Sequence, residues 1–249
     1  MRSRASTGTT GERTLSAVNR RGFDWRKKRL RQILRRLVAF LGTDPGPSPK
    51  IFCIGLNKTG TTTMQACFLA LGLSPVASPG QPNRRTQARL FKNIMYRGNY
   101  RPALRYARRY RSFEDRPWNV WDMYQHLDRT FPDSRFILTT RDPDDWWRAV
   151  SRWLTHEKPH LVDRYMHHLK APAFEEQAFI DGFEAYNADV RRYFGSRDDF
   201  LVFDVCAGGE WKPLCTFLHL PVPDVPFPHR NRQNYTDGPR NQPTSGQHQ

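Results

Sequence analysis

Long hydrophobic runs are missing from this 249-residue chain. Its longest apolar stretches, "LVAFLG" (Leu37–Gly42) and "CFLALGL" (Cys67–Leu73), fall far short of the roughly 20 residues needed to cross a bilayer, so a membrane-spanning protein is not expected. Cysteine is also sparse. The four present, Cys53, Cys67, Cys206 and Cys215, show no C-x-x-C spacing and sit in apolar runs, which favours buried thiols in a reducing compartment, the cytoplasm, over a disulfide framework. The opening "MRSRASTGTTGERTLS" has no hydrophobic centre, so no secretory leader is expected. Acidic residues are few beside basic ones, 24 against 40, for a net charge of +16. Such a balance implies anionic partners, whether nucleic acid, an anionic membrane or an anionic small molecule, without choosing among them.

What is there falls into three parts. Residues 1–48 form a basic arm and residues 234–249 a polar tail, which leaves 49–233 as the one domain large enough to bury a core. Within the arm, "WRKKRLRQILRRLVAFLG" spaces Trp25, Leu30, Ile33, Leu34, Leu37 and Phe40 at helical intervals, with arginine and lysine around the rest. That basic amphipathic helix can dock on the domain, lie on an anionic membrane surface, or touch nucleic acid, and "GTDPGPSP" then breaks it as a linker.

The domain reads as strands alternating with helices. "KIFCIGL" (Lys50–Leu56) is a short apolar run suited to a buried parallel strand. "RFILTTR" (Arg135–Arg141) and "DFLVFDV" (Asp199–Val205) are further strands, and "LSPVAS" is a short candidate. Helical patterns run through "TTTMQACFLALG", "WDMYQHLDRTF", "PDDWWRAVSRWLTHE", "FEEQAFIDGFEAYNADVRRYF" and "EWKPLCTFLHL". The fold expected is α/β, with three α/β/α layers and a mainly parallel sheet.

The first strand leads into "GLNKTGTTT". A strand, a glycine-rich turn and a helix start together present backbone N–H groups to an anion. Gly55 and Gly60 keep the spacing of a nucleoside-triphosphate loop, yet Thr61 follows Gly60 and the lysine, Lys58, comes before it. The candidate anion-binding group is Asn57, Lys58, Thr59, Gly60, Thr61, Thr62 and Thr63. Across the sheet, "RFILTTRDP" ends in Arg141 beside Asp142. An arginine there suits a second anionic group better than the metal a triphosphatase would hold.

Taken together, "GLNKTGTTT" and "FPDSRFILTTRDPDDWW" resemble the sulfotransferase family that uses 3′-phosphoadenosine 5′-phosphosulfate (PAPS), and "FEDRPW" and "EWKPLCTFLHLPVPDVPFPHRN" extend the likeness over about residues 50–231. The resemblance implies a P-loop nucleoside triphosphate hydrolase-like fold, PAPS as co-substrate, and no metal. It implies Lys58 at the 5′-phosphosulfate, Arg141 at the 3′-phosphate, and a hydroxyl or amine acceptor on a small molecule, carbohydrate or lipid-linked compound. Asp115 of "EDRPW" is the candidate base, with Glu114 as its alternative and a surface ion pair with Arg111 or Arg116 as the plainer reading. Where the family carries serine, eight residues after the arginine, this chain has Ala149. Ser151 lies about 200° around a helix from that point and Arg152 on nearly its face, so Arg152 is the candidate replacement.

Weaker signals stay open. "RRTQARLFKNIMYRGNYRPALRYARRYR" interleaves aromatics with cations and reads as a solvated helical face or an acceptor-cleft lining for an acidic or sugar-bearing substrate. Nucleic acid is not the expected partner, because no recognised module is present. His156 and His160 flank Pro159 and read as solvated rather than metal-binding, and Trp146, Trp147 and Trp153 read as packing residues. The alternatives to sulfuryl transfer are phosphoryl transfer on the same fold and a non-catalytic nucleotide-binding protein.

Overall fold

The computed structural model describes residues 49–73 and 84–229. The basic arm with its helix, the "LSPVAS" strand beyond Leu73 and the tail from Asn234 lie outside those described residues.

Four strands form one parallel sheet: β1 (Ile51–Cys53), β2 (Ser112–Phe113), β3 (Arg135–Thr139) and β4 (Phe200–Phe203), in the order β2-β1-β3-β4. Ile51 pairs with Ser112 on one side and Arg135 on the other, so β1 is central. This is why its sequence is continuously apolar rather than alternating. The period of two decides which layer each side chain joins. Phe52, Ile54, Phe136 and Leu138 face a cluster built by α2 (Arg84–Arg97), α3 (Arg101–Ala107), α4 (Met123–Thr130) and the end of α7 (Glu176–Phe194). Ile51, Cys53 and Ile137 face the opposite cluster, built by α1 (Thr61–Ala70) and α8 (Trp211–Leu218). The result is the three-layer arrangement the sequence predicts.

Phe52 is fully buried, with the rings of Phe113 and Phe136 at 4.6 and 5.5 Å. A third cluster joins α5 (Pro143–Arg152), α6 (Val162–Leu169) and α7 beside the loop residue Leu56; its centre is Trp146, stacked on Phe183 at 4.3 Å.

Three differences from the sequence reading have local causes. The arginine-rich stretch is two helices, α2 and α3, parted at Gly98, and it ends at β2, whose two residues are too few to show any period. The helix begun at Pro143 passes into a π-helical turn over Trp153–Glu157 instead of continuing as α-helix. Cys206 is exposed, because it lies in the turn after β4 and not in the strand; Cys53, Cys67 and Cys215 are buried as expected.

Because the sheet is parallel, the loops leaving all four strands gather at one edge. The chain passes from β1 to β2 on one side and then to β3 on the other, which opens a crevice beyond the carboxyl ends of β1 and β3. Into this region run the loop holding Asn57 and Lys58, the Glu114–Asp115 turn, Arg141, and Val205 with Cys206.

Candidate active site

The β1 loop is held by its carbonyl groups. Ile54 O accepts from the Tyr186 hydroxyl at 2.7 Å, Gly55 O from Asn119 Nδ2 at 3.0 Å, Leu56 O from the Thr59 hydroxyl at 2.6 Å, and Asn57 O from Trp146 Nε1 at 2.9 Å. Four successive acceptors are thus satisfied from within. The N–H groups of Lys58 and Gly60 donate to no protein acceptor among the described residues and so remain for an anion.

Backbone conformation contributes to the same end. Lys58 and Gly60 both have positive φ, 73° and 94°. A Cβ on Gly55 would stand 2.0 Å from Thr139 Oγ1, so only glycine lets the loop pass that close to β3. A Cβ on Gly60 would approach Val205 Cβ to 3.0 Å.

The sequence-derived residues separate into inward and outward groups. Thr59 is fully buried, and its hydroxyl lies 2.7 Å from that of Thr139, pinning the loop to β3. Asn57 is likewise buried: its Nδ2 donates to Asp115 Oδ1, and its Oδ1 accepts from the Tyr165 hydroxyl. Thr61 and Thr63 are buried at the start of α1, while Thr62 is exposed. Lys58 is half-buried, and its ammonium lies 5.0 Å from the centroid of the Trp153 ring. Burial holds the Lys58 pKa below the ordinary lysine value; Glu157 and Asp115 counter this, and Arg141 adds to it. These charges therefore share one neighbourhood.

Arg141 is half-buried, and its Nε is sealed from solvent with no hydrogen-bond partner among the described residues. An orphaned guanidinium N–H is costly unless a ligand takes it. The next helix begins sharply after it, with Pro143 in its first turn and the Asp142 side chain accepting from Asp145 N at 3.0 Å. Ala149 is buried on that helix, Arg152 is exposed, and the Ser151 hydroxyl donates to Trp147 O at 2.7 Å within its own helix.

Asp115 is buried, 6% exposed, with φ 62°, a left-handed conformation that costs about 1 kcal/mol or more for a residue other than glycine. Its Oδ1 accepts from Asn57 Nδ2 and from Arg116 N at 2.7 Å, which leaves Oδ2 as the oxygen without a hydrogen bond among the described residues. Glu114 is buried more deeply, at 3%.

A sulfotransferase domain model matches residues 50–236. The chain belongs to the sulfotransferase family. Its α/β sheet is accordingly the family's P-loop-like fold. The chain is also 24% identical over 212 residues to "Ava biosynthesis cluster protein M" of Aspergillus versicolor, a match covering 72% of this chain and 80% of that protein. No helix among the described residues of this sulfotransferase is long and apolar enough to cross a membrane. None of its His, Cys, Asp and Glu residues forms, among those described, a group of three or more able to hold a metal.

Several residues that build the site carried no sequence signal. Tyr165, Tyr186 and Asn119 act by reaching loop atoms far away in the chain, and nothing in "DRYMHHL", "EAYNADV" or "PWNVW" marks them. Trp153 is more than the packing residue its sequence suggests, because the π-helical turn swings it beside Lys58. Trp146 and Trp147 do pack, and His156 and His160 are exposed.

Proposed function

We propose that this sulfotransferase moves a sulfuryl group from PAPS to a hydroxyl or amine acceptor, with Asp115 taking the acceptor proton. The observation that carries this reading is the loop whose four successive carbonyl groups, Ile54 to Asn57, are tied inward while the charge of Lys58 acts in the same neighbourhood as the carboxylate of Asp115.

The donor fits the residues present. The loop N–H groups, the amino terminus of α1 and Lys58 suit the 5′-phosphosulfate, with Thr61, Thr62 and Thr63 at the helix start. The unpartnered Nε of Arg141 suits the 3′-phosphate, where a planar fork binds two oxygens at once. In transfer, the acceptor oxygen forms a bond to sulfur as the bond from sulfur to the bridging phosphate oxygen breaks. The electron pair of the broken bond stays with the leaving nucleotide, whose growing negative charge Lys58 stabilises, and the acceptor proton passes to Asp115 Oδ2. Asn57 and Tyr165 do not touch the reacting atoms in this scheme; they hold the rotamer of Asp115. Trp153 limits the sweep of Lys58 through the ring face.

Arg152, exposed one turn beyond Ala149, is proposed as a supplementary contact to the 3′-phosphate. The cytoplasm is the proposed compartment, supported by four free cysteines, three of them buried. The acceptor is proposed to be a small molecule, carbohydrate or lipid-linked alcohol, with the basic arm supplying contact to an anionic membrane.

Radiolabelled PAPS supplied with an acceptor panel tests the reading. Label should pass to at least one hydroxyl or amine in excess chelator, and Lys58→Ala should lose chiefly turnover. Strict magnesium dependence, or label transfer undiminished in Lys58→Ala, contradicts it.

A further inference from the structure

Beside Asp115 stands a pair of arginines that the transfer chemistry does not use. Arg116 follows Asp115 in the turn after β2, and Arg164 precedes Tyr165 on α6. Their guanidinium carbons lie 5.3 and 5.8 Å from the centroid of one ring, that of Phe91 on α2. Phe91 is only 6% exposed and belongs to the core cluster, so three separate elements bring both cations to one ring.

Among the described residues, one long ion pair is all that serves the two cations. The nearest carboxylate oxygen to Arg116 is Asp115 Oδ1, at 4.0 Å, and that oxygen already accepts from Asn57 and from the Arg116 backbone. Arg164 makes no ion pair and no side-chain hydrogen bond among the described residues; its guanidinium rests against the Phe91 ring. The ring attracts each guanidinium, and the contact leaves the N–H donors of both forks for a ligand. An anion reaching the two forks uses their donors.

The Arg116 charge acts on Tyr165 and His168, whereas Lys58 feels Arg141, Glu157 and Asp115. Arg116 thus stands on the Asp115 side of the crevice.

We propose that Arg116 and Arg164, seated on Phe91, form a subsite for an anionic group carried by the acceptor itself, so that the acceptor is a hydroxy acid whose carboxylate is anchored while its hydroxyl faces Asp115. The inference rests on the sulfotransferase reading given above. A planar carboxylate matches a guanidinium fork, and anchoring it fixes the distance from the acid group to the reacting oxygen. An acceptor bearing a phosphate offers the same charge with a different shape.

The experiment is calorimetric binding to the full chain of 4-hydroxybenzoate, 4-hydroxyphenylacetate and 3-(4-hydroxyphenyl)propionate, each beside its methyl ester, with 4-hydroxyphenyl phosphate as the phosphate arm. Adenosine 3′,5′-bisphosphate is titrated separately. At least one acid should bind about tenfold tighter than its ester, the effect expected for charge-assisted hydrogen bonds. That preference should fall to near parity in Arg164→Gln and Arg116→Gln, recover in part in Arg164→Lys, and persist in Lys212→Gln, which removes an exposed cation on α8. Bisphosphate affinity should stay at the parent value in both glutamine variants. If the phosphate compound binds tighter than every acid and loses that affinity in the same variants, the carboxylate assignment is overturned. If no acid is preferred over its ester, including the case where none binds, or if the preference survives both substitutions, the subsite is overturned. Failure of the bisphosphate to bind overturns the donor assignment instead, and the comparison of acids with esters is read independently of it.

Discussion

Asn57→Asp keeps the shape of the side chain and inverts its hydrogen-bonding sense toward Asp115. In the parent, Asn57 Nδ2 donates to Asp115 Oδ1 while Asn57 Oδ1 accepts from Tyr165. The aspartate can still accept from Tyr165, so a buried hydroxyl is not orphaned and the loop keeps its anchor. Toward Asp115, however, an oxygen replaces the donor. Two carboxylates about 4 Å apart repel by about 4 kcal/mol at an effective dielectric of about 20, enough that the pair retains one proton well above the ordinary carboxylate range. A base must be ionised to act, so the acid limb of the kcat/KM profile should move upward by one pH unit or more, with the plateau reached only at high pH. Affinity for adenosine 3′,5′-bisphosphate should change little, because both polar atoms of the Asn57 side chain are already bonded to Asp115 and Tyr165. Asn57→Ala serves as the companion: it removes one charge-assisted hydrogen bond and strands Tyr165, costing about 2–4 kcal/mol of stability together. The assay is initial transfer rate from pH 5 to 10, with urea unfolding of each variant. An Asn57→Asp enzyme with the parent's pH profile would refute both the role of Asp115 as base and the contact that holds it.

Three further outcomes are expected. Ala149→Ser places a hydroxyl where the buried face of α5 lacks one and should tighten adenosine 3′,5′-bisphosphate by about tenfold over adenosine 5′-phosphate; Ser151→Ala should not, since that hydroxyl is bonded within its helix, and an unchanged preference in Ala149→Ser in calorimetry would show that this face does not meet the 3′-phosphate. His168 is held neutral by burial, its pKa pushed down from 6.5 to about 4, with its Nδ1 sealed and unpartnered. Its folded pKa is depressed, so the unfolded chain takes up the proton first, and stability present above pH 6.5 is lost as pH falls from there toward 4; urea unfolding at pH 7 and 4.5 should show His168→Gln losing about 2 kcal/mol less than the parent, and equal losses would contradict the assignment. Removal of residues 1–46 should abolish co-sedimentation with anionic vesicles, at about 1 kcal/mol per basic residue near the surface, and leave transfer intact; equal co-sedimentation of both forms would exclude the arm as the membrane contact.

What the sequence made legible was whatever repeats or is covalently local. The period of two in Ile51–Ile54 and Phe136–Leu138 fixes which residues enter each layer, and the glycine spacing with Lys58 marks the anion loop. β2 was invisible because two residues carry no period, although it delivers Asp115 to the crevice edge. The π-helical turn at Trp153–Glu157 follows from no residue in "WLTHE" by itself, so the approach of Trp153 to Lys58 could not be read. Asn57 was assigned to the nucleotide on its place in the loop, whereas its side chain bridges Tyr165 and Asp115, a contact between residues 108 positions apart on one side and 58 on the other. Such pairings arise only when the sheet brings loop ends together. Cys206 misled for a related reason: its apolar neighbours belong to β4, but the strand stops at Phe203.

The central claim is that the loop with Lys58 and the unpartnered guanidinium of Arg141 hold opposite ends of one nucleotide. Calorimetric titration of adenosine 3′,5′-bisphosphate and of adenosine 5′-phosphate into the parent and Arg141→Ala tests it most directly. The account predicts that the parent favours the bisphosphate by about tenfold to a hundredfold, the worth of charge-assisted bonds to a phosphate, and that Arg141→Ala binds the two nucleotides alike. Equal affinity for both nucleotides in the parent, or a bisphosphate preference undiminished in Arg141→Ala, would contradict it.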